Sequence, residues 1–219
     1  MIKLVIFDAG GVLYDGSNEI IRAAVKKFLE KHGVHGLEGS DKVWSRVEQL
    51  VSVGKMSLRE AHERWLEGVG LSRDLAHEWE EVDRREIWAK FRKTPGINGL
   101  LKELKSKYAL VVLSDTIDDK AGKIEKMGIV GVNHEVFDEI FTSHDLGVCK
   151  PHKKAFWTAL ERFSAKPEES VFISDACDEL RGARKFGLVT IGYKRDCGDY
   201  NVKKLNEISK LLQTIESSK

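Results

Sequence analysis

Nowhere do eighteen apolar residues follow one another, so no segment would span a bilayer as a helix. Residues 1–7 are too short for the apolar stretch of a secretion signal, and no membrane partner is expected. Neither sign of charge dominates, since 36 Lys and Arg stand against 35 Asp and Glu, a net charge of +1. With no basic stripe carrying interleaved aromatics, that balance speaks against nucleic acid as a partner. Cysteine is nearly missing. Cys149, Cys177 and Cys197 are odd in number and lack C-x-x-C spacing, which fits free thiols in a reducing cytoplasm rather than a disulfide framework. Cys177 reads as a small filler residue. Asn and Gln are scarce while Lys and Glu abound, a composition that fits a hot environment. Repeats and low-complexity stretches are absent. What remains is a chain of 219 residues, 42% hydrophobic and 32% charged, enough apolar material for one large domain or two small ones.

An apolar run opens the chain and leads into FDAGGV, a strand that ends in Asp8 and a glycine turn. Four β-branched runs follow, at 109–113, 139–142, 170–174 and 189–193. Helical patterns separate them at Gly99–Lys107, Asp118–Met127, Lys153–Phe163 and Asp178–Phe186, and 201–214 reads as a closing amphipathic helix. Alternation of this kind predicts right-handed βαβ crossovers and a doubly wound parallel sheet of the α/β, Rossmann-like class. Residues 15–95 break the rhythm with helical stretches and no convincing strand. Ile20, Ala24 and Phe28 share one face of a helix over 19–31. Ser57 and Glu60 have the spacing of a capping box, and a further helix is expected over 74–91. Four of the five tryptophans (Trp44, Trp65, Trp79 and Trp88) fall here, as core or as the roof of a cleft. Pro95 forbids helix continuation and marks the return to the sheet. The expected division is an α/β core of residues 1–14 plus 96–219 and an inserted helical domain of residues 15–95.

In open α/β sheets ligands bind at the carboxyl ends of the strands. Four strand ends here carry chemistry. Asp8 closes the first. Ser114, Asp115 and Thr116 close the second, a hydroxyl and helix N-terminal amides suited to phosphate oxygens. Lys150 lies beyond the third, just before a helix. Asp175 closes the fourth, with Asp178 and Glu179 close behind. Carboxylates gathered in this way repel one another unless a cation joins them, and Mg²⁺ prefers a few carboxylates, waters and a substrate phosphate to a complete protein cage.

The segments FDAGGVL, VVLSDT, Lys150-Pro151 and FISDACDELRGARKFGL, in this order and spacing, resemble the haloacid dehalogenase-like hydrolase superfamily over essentially the whole chain. The helical insert resembles the cap of its helical-cap branch. The resemblance implies a phosphatase in which Asp8 attacks phosphorus and forms an aspartyl-phosphate. It implies a phosphate site of Ser114, Asp115 and Lys150, with Lys150 also catalytic through the charge it neutralises. Mg²⁺ would be held by Asp8, the Gly10 carbonyl and Asp175. Asp178 or Glu179 would act from behind the metal rather than ligate it. The implied substrate is a small phosphorylated metabolite, turned over by a cytoplasmic monomer or homodimer.

Gly10 departs from the pattern. Phosphatases of this family usually carry a second Asp there, which protonates the leaving alkoxide and then activates water. Glycine still offers a carbonyl to the metal but moves no proton. Asp15, His62 and Glu63 are the candidates to compensate. A 2-haloacid dehalogenase needs no acid at this position, but such enzymes carry an aromatic residue where Gly10 stands and lack the carboxylate that Asp175 supplies. A third reading is a phospho-ligand binding protein without turnover.

Overall fold

The computed structural model describes residues 1–217. Its core is a six-stranded sheet built from β1 (Leu4–Phe7), β4 (Ala109–Ser114), β5 (Glu139–Thr142), β6 (Ser170–Ser174), β7 (Val189–Tyr193) and β8 (Tyr200–Val202). The order is β5-β4-β1-β6-β7-β8 and every pairing is parallel. β1 holds Leu4 opposite Ala109 on one side and Ser170 on the other, so the chain order reverses direction across β1. That switch point places a crevice beyond Phe7, where Asp8 begins.

Alternate residues of the buried strands serve two cores. Val5, Phe7, Leu110 and Val112 pack against α5 (Ile97–Lys105), α6 (Lys120–Ile129) and α10 (Asn206–Ser217), while Leu4, Ile6, Val111 and Phe172 pack against α8 (Lys153–Arg162) and α9 (Cys177–Lys185). Parallel strands buried on both faces read as continuous apolar runs, which is why they were visible in sequence. Gly182 of α9 has a packing reason to be glycine, because a Cβ there would lie 2.3 Å from Cβ of Pro151.

Between Leu13 and Thr94 the chain leaves the sheet. It departs and returns along a short antiparallel ribbon, β2 (Tyr14–Asp15) with β3 (Arg92–Lys93), a pairing that the expected absence of strands in 15–95 missed. Two residues a side give no periodicity to detect. The insert then comprises α1 (Asn18–Lys31), α2 (Glu38–Val51), α3 (Leu58–Gly68) and α4 (Ala76–Val82). Ser57 does cap α3, accepting from the Glu60 amide at 3.2 Å, but the Glu60 carboxylate takes Arg64 at 2.7 Å, so only half of the expected capping box forms. The helix expected over 74–91 is interrupted: a π-type turn occupies Asp83–Ile87 and a 3₁₀ turn Trp88–Lys90. The first residue of the π-type turn, Asp83, lies 3.3 Å from Lys126 of α6. At its far side the insert rests on α7 (Ser143–Leu146), where His144 Nδ1 lies 2.7 Å from the Val51 carbonyl.

Two further expectations change. The closing helix starts at Asn206 rather than 201, because residues 200–202 extend the sheet as β8. Cys177 and Cys197 form a disulfide across 20 residues, against the reading of free thiols; only Cys149 is free among the described residues. The turn after β7 folds Cys197 back onto the start of α9, a long-range approach that local spacing does not encode. No helix among the described residues is long and apolar enough to cross a membrane.

Candidate active site

Asp8 leaves β1 with its amide still in the sheet, donating to the Ile173 carbonyl at 2.9 Å. Its side chain accepts from Lys150 Nζ at 2.6 Å, and the same ammonium lies 3.1 Å from Glu179 Oε2. The Lys150 side chain is completely buried. Burial alone would lower its pKa, but the attraction of Asp8, Glu179 and Asp115 outweighs this and holds the ammonium charged. Burial pushes the Glu179 carboxyl up to about 7, against the pull of Lys150 and with the help of the Asp8 charge. Ser174 donates to Glu179 Oε2 at 2.8 Å and fixes its rotamer. Asp178, the other carboxylate considered, does not join this group. Its side chain is 86% exposed and pairs with Arg181, because consecutive helix residues point about 100° apart and only Glu179 faces the strand ends.

Asp175 follows β6 and is half-buried. Its pKa is raised by burial and then by the Asp8 charge. Gly11, at φ +70°, makes room for this side chain, since a Cβ there would lie 2.5 Å from the Asp175 carboxyl carbon. Arg195, from the loop that carries Cys197, donates through Nε to the Asp175 carbonyl at 3.0 Å and stands 3.9 Å from its carboxylate. Sequence reasoning passed over Arg195; its position just beyond the end of β7 was the available signal. Ser114 is buried at the end of β4, and its hydroxyl lies 3.4 Å from the Asp115 carbonyl. Asp115 directs Oδ1 to the backbone N–H of Lys150 at 3.0 Å. That bond ties the Asp115 side chain to the lysine's backbone. The Thr116 amide, expected to be free, donates to Ser143 Oγ at 3.0 Å, and α6 starts only at Lys120, capped by Asp119.

Above these strand ends lies a cavity of about 630 Å³, lined by Gly10, Asp115 and Thr116 below and by the insert above. All four tryptophans of the insert line it. At its floor Lys123 Nζ is 2.6 Å from the Tyr14 hydroxyl, a buried pair not foreseen from sequence. Burial lowers the Lys123 pKa to about 8. Of the three candidates to replace an acid at position 10, Asp15 is exposed on β2. Glu63 is held by Arg59 and Arg73. Only His62 lines the cavity.

His62 carries a prediction of its own. It is 3% exposed and its Nδ1 has no hydrogen-bond partner, with Glu80 at 3.7 Å. Burial lowers its pKa to about 4. The folded state therefore resists a proton that the unfolded chain accepts near 6.5, so stability is complete above that pH and falls as pH drops towards 4. Denaturant unfolding at pH 7 and pH 4.5 is expected to show a loss about 2 kcal/mol larger in the wild type than in His62→Gln. Equal losses in the two proteins would mean that His62 titrates normally.

The family match decides what this arrangement belongs to: the haloacid dehalogenase-like hydrolase family covers residues 2–187. The chain is a haloacid dehalogenase-like hydrolase. A glyceraldehyde 3-phosphate phosphatase from Methanothermobacter thermautotrophicus is 30% identical over 198 residues, 87% of this chain and 85% of that protein. A protein of the same name from Methanopyrus kandleri is 27% identical over 205 residues, 89% of this chain and 85% of its own length. Among solved structures, a 2-haloacid dehalogenase from Pseudomonas syringae superposes with a TM-score of 0.78 at 24% identity, covering 98% of this chain and 99% of that one. That likeness confirms the fold of this hydrolase, a parallel sheet flanked by helices.

Proposed function

We propose that this hydrolase is a Mg²⁺-dependent phosphatase of small phosphomonoesters, working through an aspartyl-phosphate on Asp8. The observation that carries the reading is the Asp8–Lys150 contact of 2.6 Å at the sheet's switch point, with the Asp175 carboxylate packed against the Gly10–Gly11 turn. The phosphatase names of the relatives support it. Lys150, buried and charged, holds one Asp8 oxygen and leaves the other to attack phosphorus. Ser114 is placed to donate to a phosphoryl oxygen, Glu179 keeps the Lys150 ammonium in place and Asp115 holds the lysine's backbone N–H. Residues 15–95 serve as a cap over a core formed by 1–14 and 96–219.

Asp8, Asp175 and the Gly10 carbonyl fit a hard divalent cation. The Asp175 carboxylate lies against the glycine turn that follows Asp8, since a Cβ on Gly11 would be 2.5 Å from its carboxyl carbon, Arg195 stands 3.9 Å from it, and no group of three His, Cys, Asp or Glu that could hold a metal occurs among the described residues. That set is what Mg²⁺ takes alongside water and substrate phosphate, and is too sparse for a structural zinc site. When bound, Mg²⁺ would neutralise charge on the phosphoryl oxygens as the ester bond breaks. Gly10 leaves the leaving group without a carboxylic acid. Dehalogenation needs none, which keeps it as the second reading, but Asp175 has no task in displacing halide from carbon.

The deciding assay follows phosphate release from p-nitrophenyl phosphate and chloride release from 2-chloropropionate. Phosphate release that requires Mg²⁺, stops in EDTA and is lost in Asp8→Asn is the expected result. Phosphate release that survives EDTA or Asp8→Asn overturns the reading, and metal-free chloride release establishes the alternative.

A further inference from the structure

The cavity under the insert, which reaches the strand ends at Gly10, Asp115 and Thr116, is far larger than a phosphate group needs. At about 630 Å³ it lies in the range that encloses a drug-sized ligand, whereas a three-carbon phosphate would leave most of it filled with water. Its walls are aromatic. Trp65 and Trp79 stand 4.8 Å apart between ring centroids, Trp44 meets Trp65 edge-on at 6.4 Å, and Trp88 lies 4.9 Å from Phe91. His62, neutral because burial lowers its pKa, is stacked on Trp44 at 5.7 Å and completes the wall as a flat, uncharged ring.

Apart from His62 Nδ1, which has no partner, the buried polar groups of the lining are paired with one another. Lys123 donates to the Tyr14 hydroxyl at 2.6 Å. Lys126 bridges Asp118 at 2.7 Å and Asp83 at 3.3 Å. The Trp65 indole N–H donates to Ser40 Oγ at 3.0 Å. A sugar or triose with several hydroxyls brought in here meets rings and paired polar groups, with His62 Nδ1 as the single unpartnered buried side-chain atom among the described residues, and each hydroxyl left unpaired weakens binding about tenfold. A methylene in the same place strengthens binding about fourfold.

We infer that the phosphomonoester this protein recognises carries an apolar body of about eight carbons or more, seated among the tryptophans of the insert, and that triose and sugar phosphates are poor ligands. The inference takes the phosphate end from the function proposed above and specifies the alcohol at the other end.

Unbranched primary alkyl phosphates test it, because their leaving groups are chemically alike and only the body changes. From ethyl through butyl and hexyl to octyl phosphate, kcat/KM with Mg²⁺ is expected to rise at least a hundredfold, with glyceraldehyde 3-phosphate no better than ethyl phosphate. A flat series, or a preference for the triose phosphate, overturns the inference and leaves the phosphatase reading intact provided that p-nitrophenyl phosphate is cleaved. In parallel, methyl- and octylphosphonate, which cannot be hydrolysed, are titrated against tryptophan fluorescence. Octylphosphonate is expected to bind at least a hundredfold tighter, and Trp44→Ala to reduce that ratio about tenfold. Should no ester be cleaved, the phosphatase reading falls, and the phosphonate ratio decides the inference alone: equal affinities reject it.

Discussion

Replacing Gly10 by aspartate is expected to raise kcat on unactivated alkyl phosphates by about 10²–10⁴-fold, the usual contribution of general acid–base catalysis. The gain on p-nitrophenyl phosphate is expected to stay under about tenfold, because a good leaving group departs without a proton. The position is sterically ready. A Cβ on Gly10 meets nothing within 4 Å, and the backbone there lies outside the left-handed region. Gly10 also lines the cavity proposed to take the ester body, so a side chain at this point is beside it. Gly11 next to it is the contrasting case. Its φ of +70° and the Asp175 carboxylate 2.5 Å from any added Cβ make even Gly11→Ala disruptive. The comparison is made at saturating Mg²⁺ with ethyl, octyl and p-nitrophenyl phosphate on both proteins. A folded Gly10→Asp variant with unchanged alkyl ester turnover would show that the leaving group already has a proton source, and the buried Lys123–Tyr14 pair is the first place to look for it.

The same contrast shows what sequence can and cannot report about this site. Asp8, Ser114, Lys150 and Asp175 were legible because each lies at the end of an apolar run or just beyond one, and the alternation of runs and helical patterns sets the sheet that gathers those ends. Glu179 and Asp178 were not separable by spacing from the strand; the direction of each side chain from α9 decides between them. The groups that sequence missed all depend on partners far away in the chain. Lys123 finds Tyr14 across 109 residues, Asp83 pairs with Lys126 of another element, and Cys197 reaches Cys177 only because the turn after β7 folds back. α2, too, was overlooked, and no side-chain cap marks its start at Leu37. Local pattern carries periodicity and breaks in it. Pairings between elements appear only once the elements are packed.

Lys150→Ala is expected to abolish measurable phosphate release and to destabilise the fold by about 3–5 kcal/mol, the effect of removing one partner from a buried charge group. Asp8 and Glu179 share this one ammonium, at 2.6 and 3.1 Å, and its side chain has no exposure through which water could take over its role. Without it two partly buried carboxylates face each other. The proton chemistry gives the loss a direction in pH. Glu179 already has a folded pKa raised to about 7, and Lys150 is the largest influence holding it down, so the variant's value moves higher still. An acid whose pKa is raised on folding holds more protons in the folded than in the unfolded state between its two pKa values, so stability falls as pH rises through that window. In the wild type the window runs from the model-peptide range near 4.5 to about 7; in Lys150→Ala it extends upward. Urea unfolding in EDTA, which keeps divalent cations from substituting for the ammonium, is therefore expected to show a larger deficit at pH 8 than at pH 5.5. Adding Glu179→Gln to Lys150→Ala is expected to recover a good part of the pH 8 deficit without restoring turnover, since it removes the repulsion but not the need for a cation beside Asp8. A deficit that is the same at both pH values and unmoved by the second substitution would show that Lys150 stabilises through packing over Phe172 rather than through its charge.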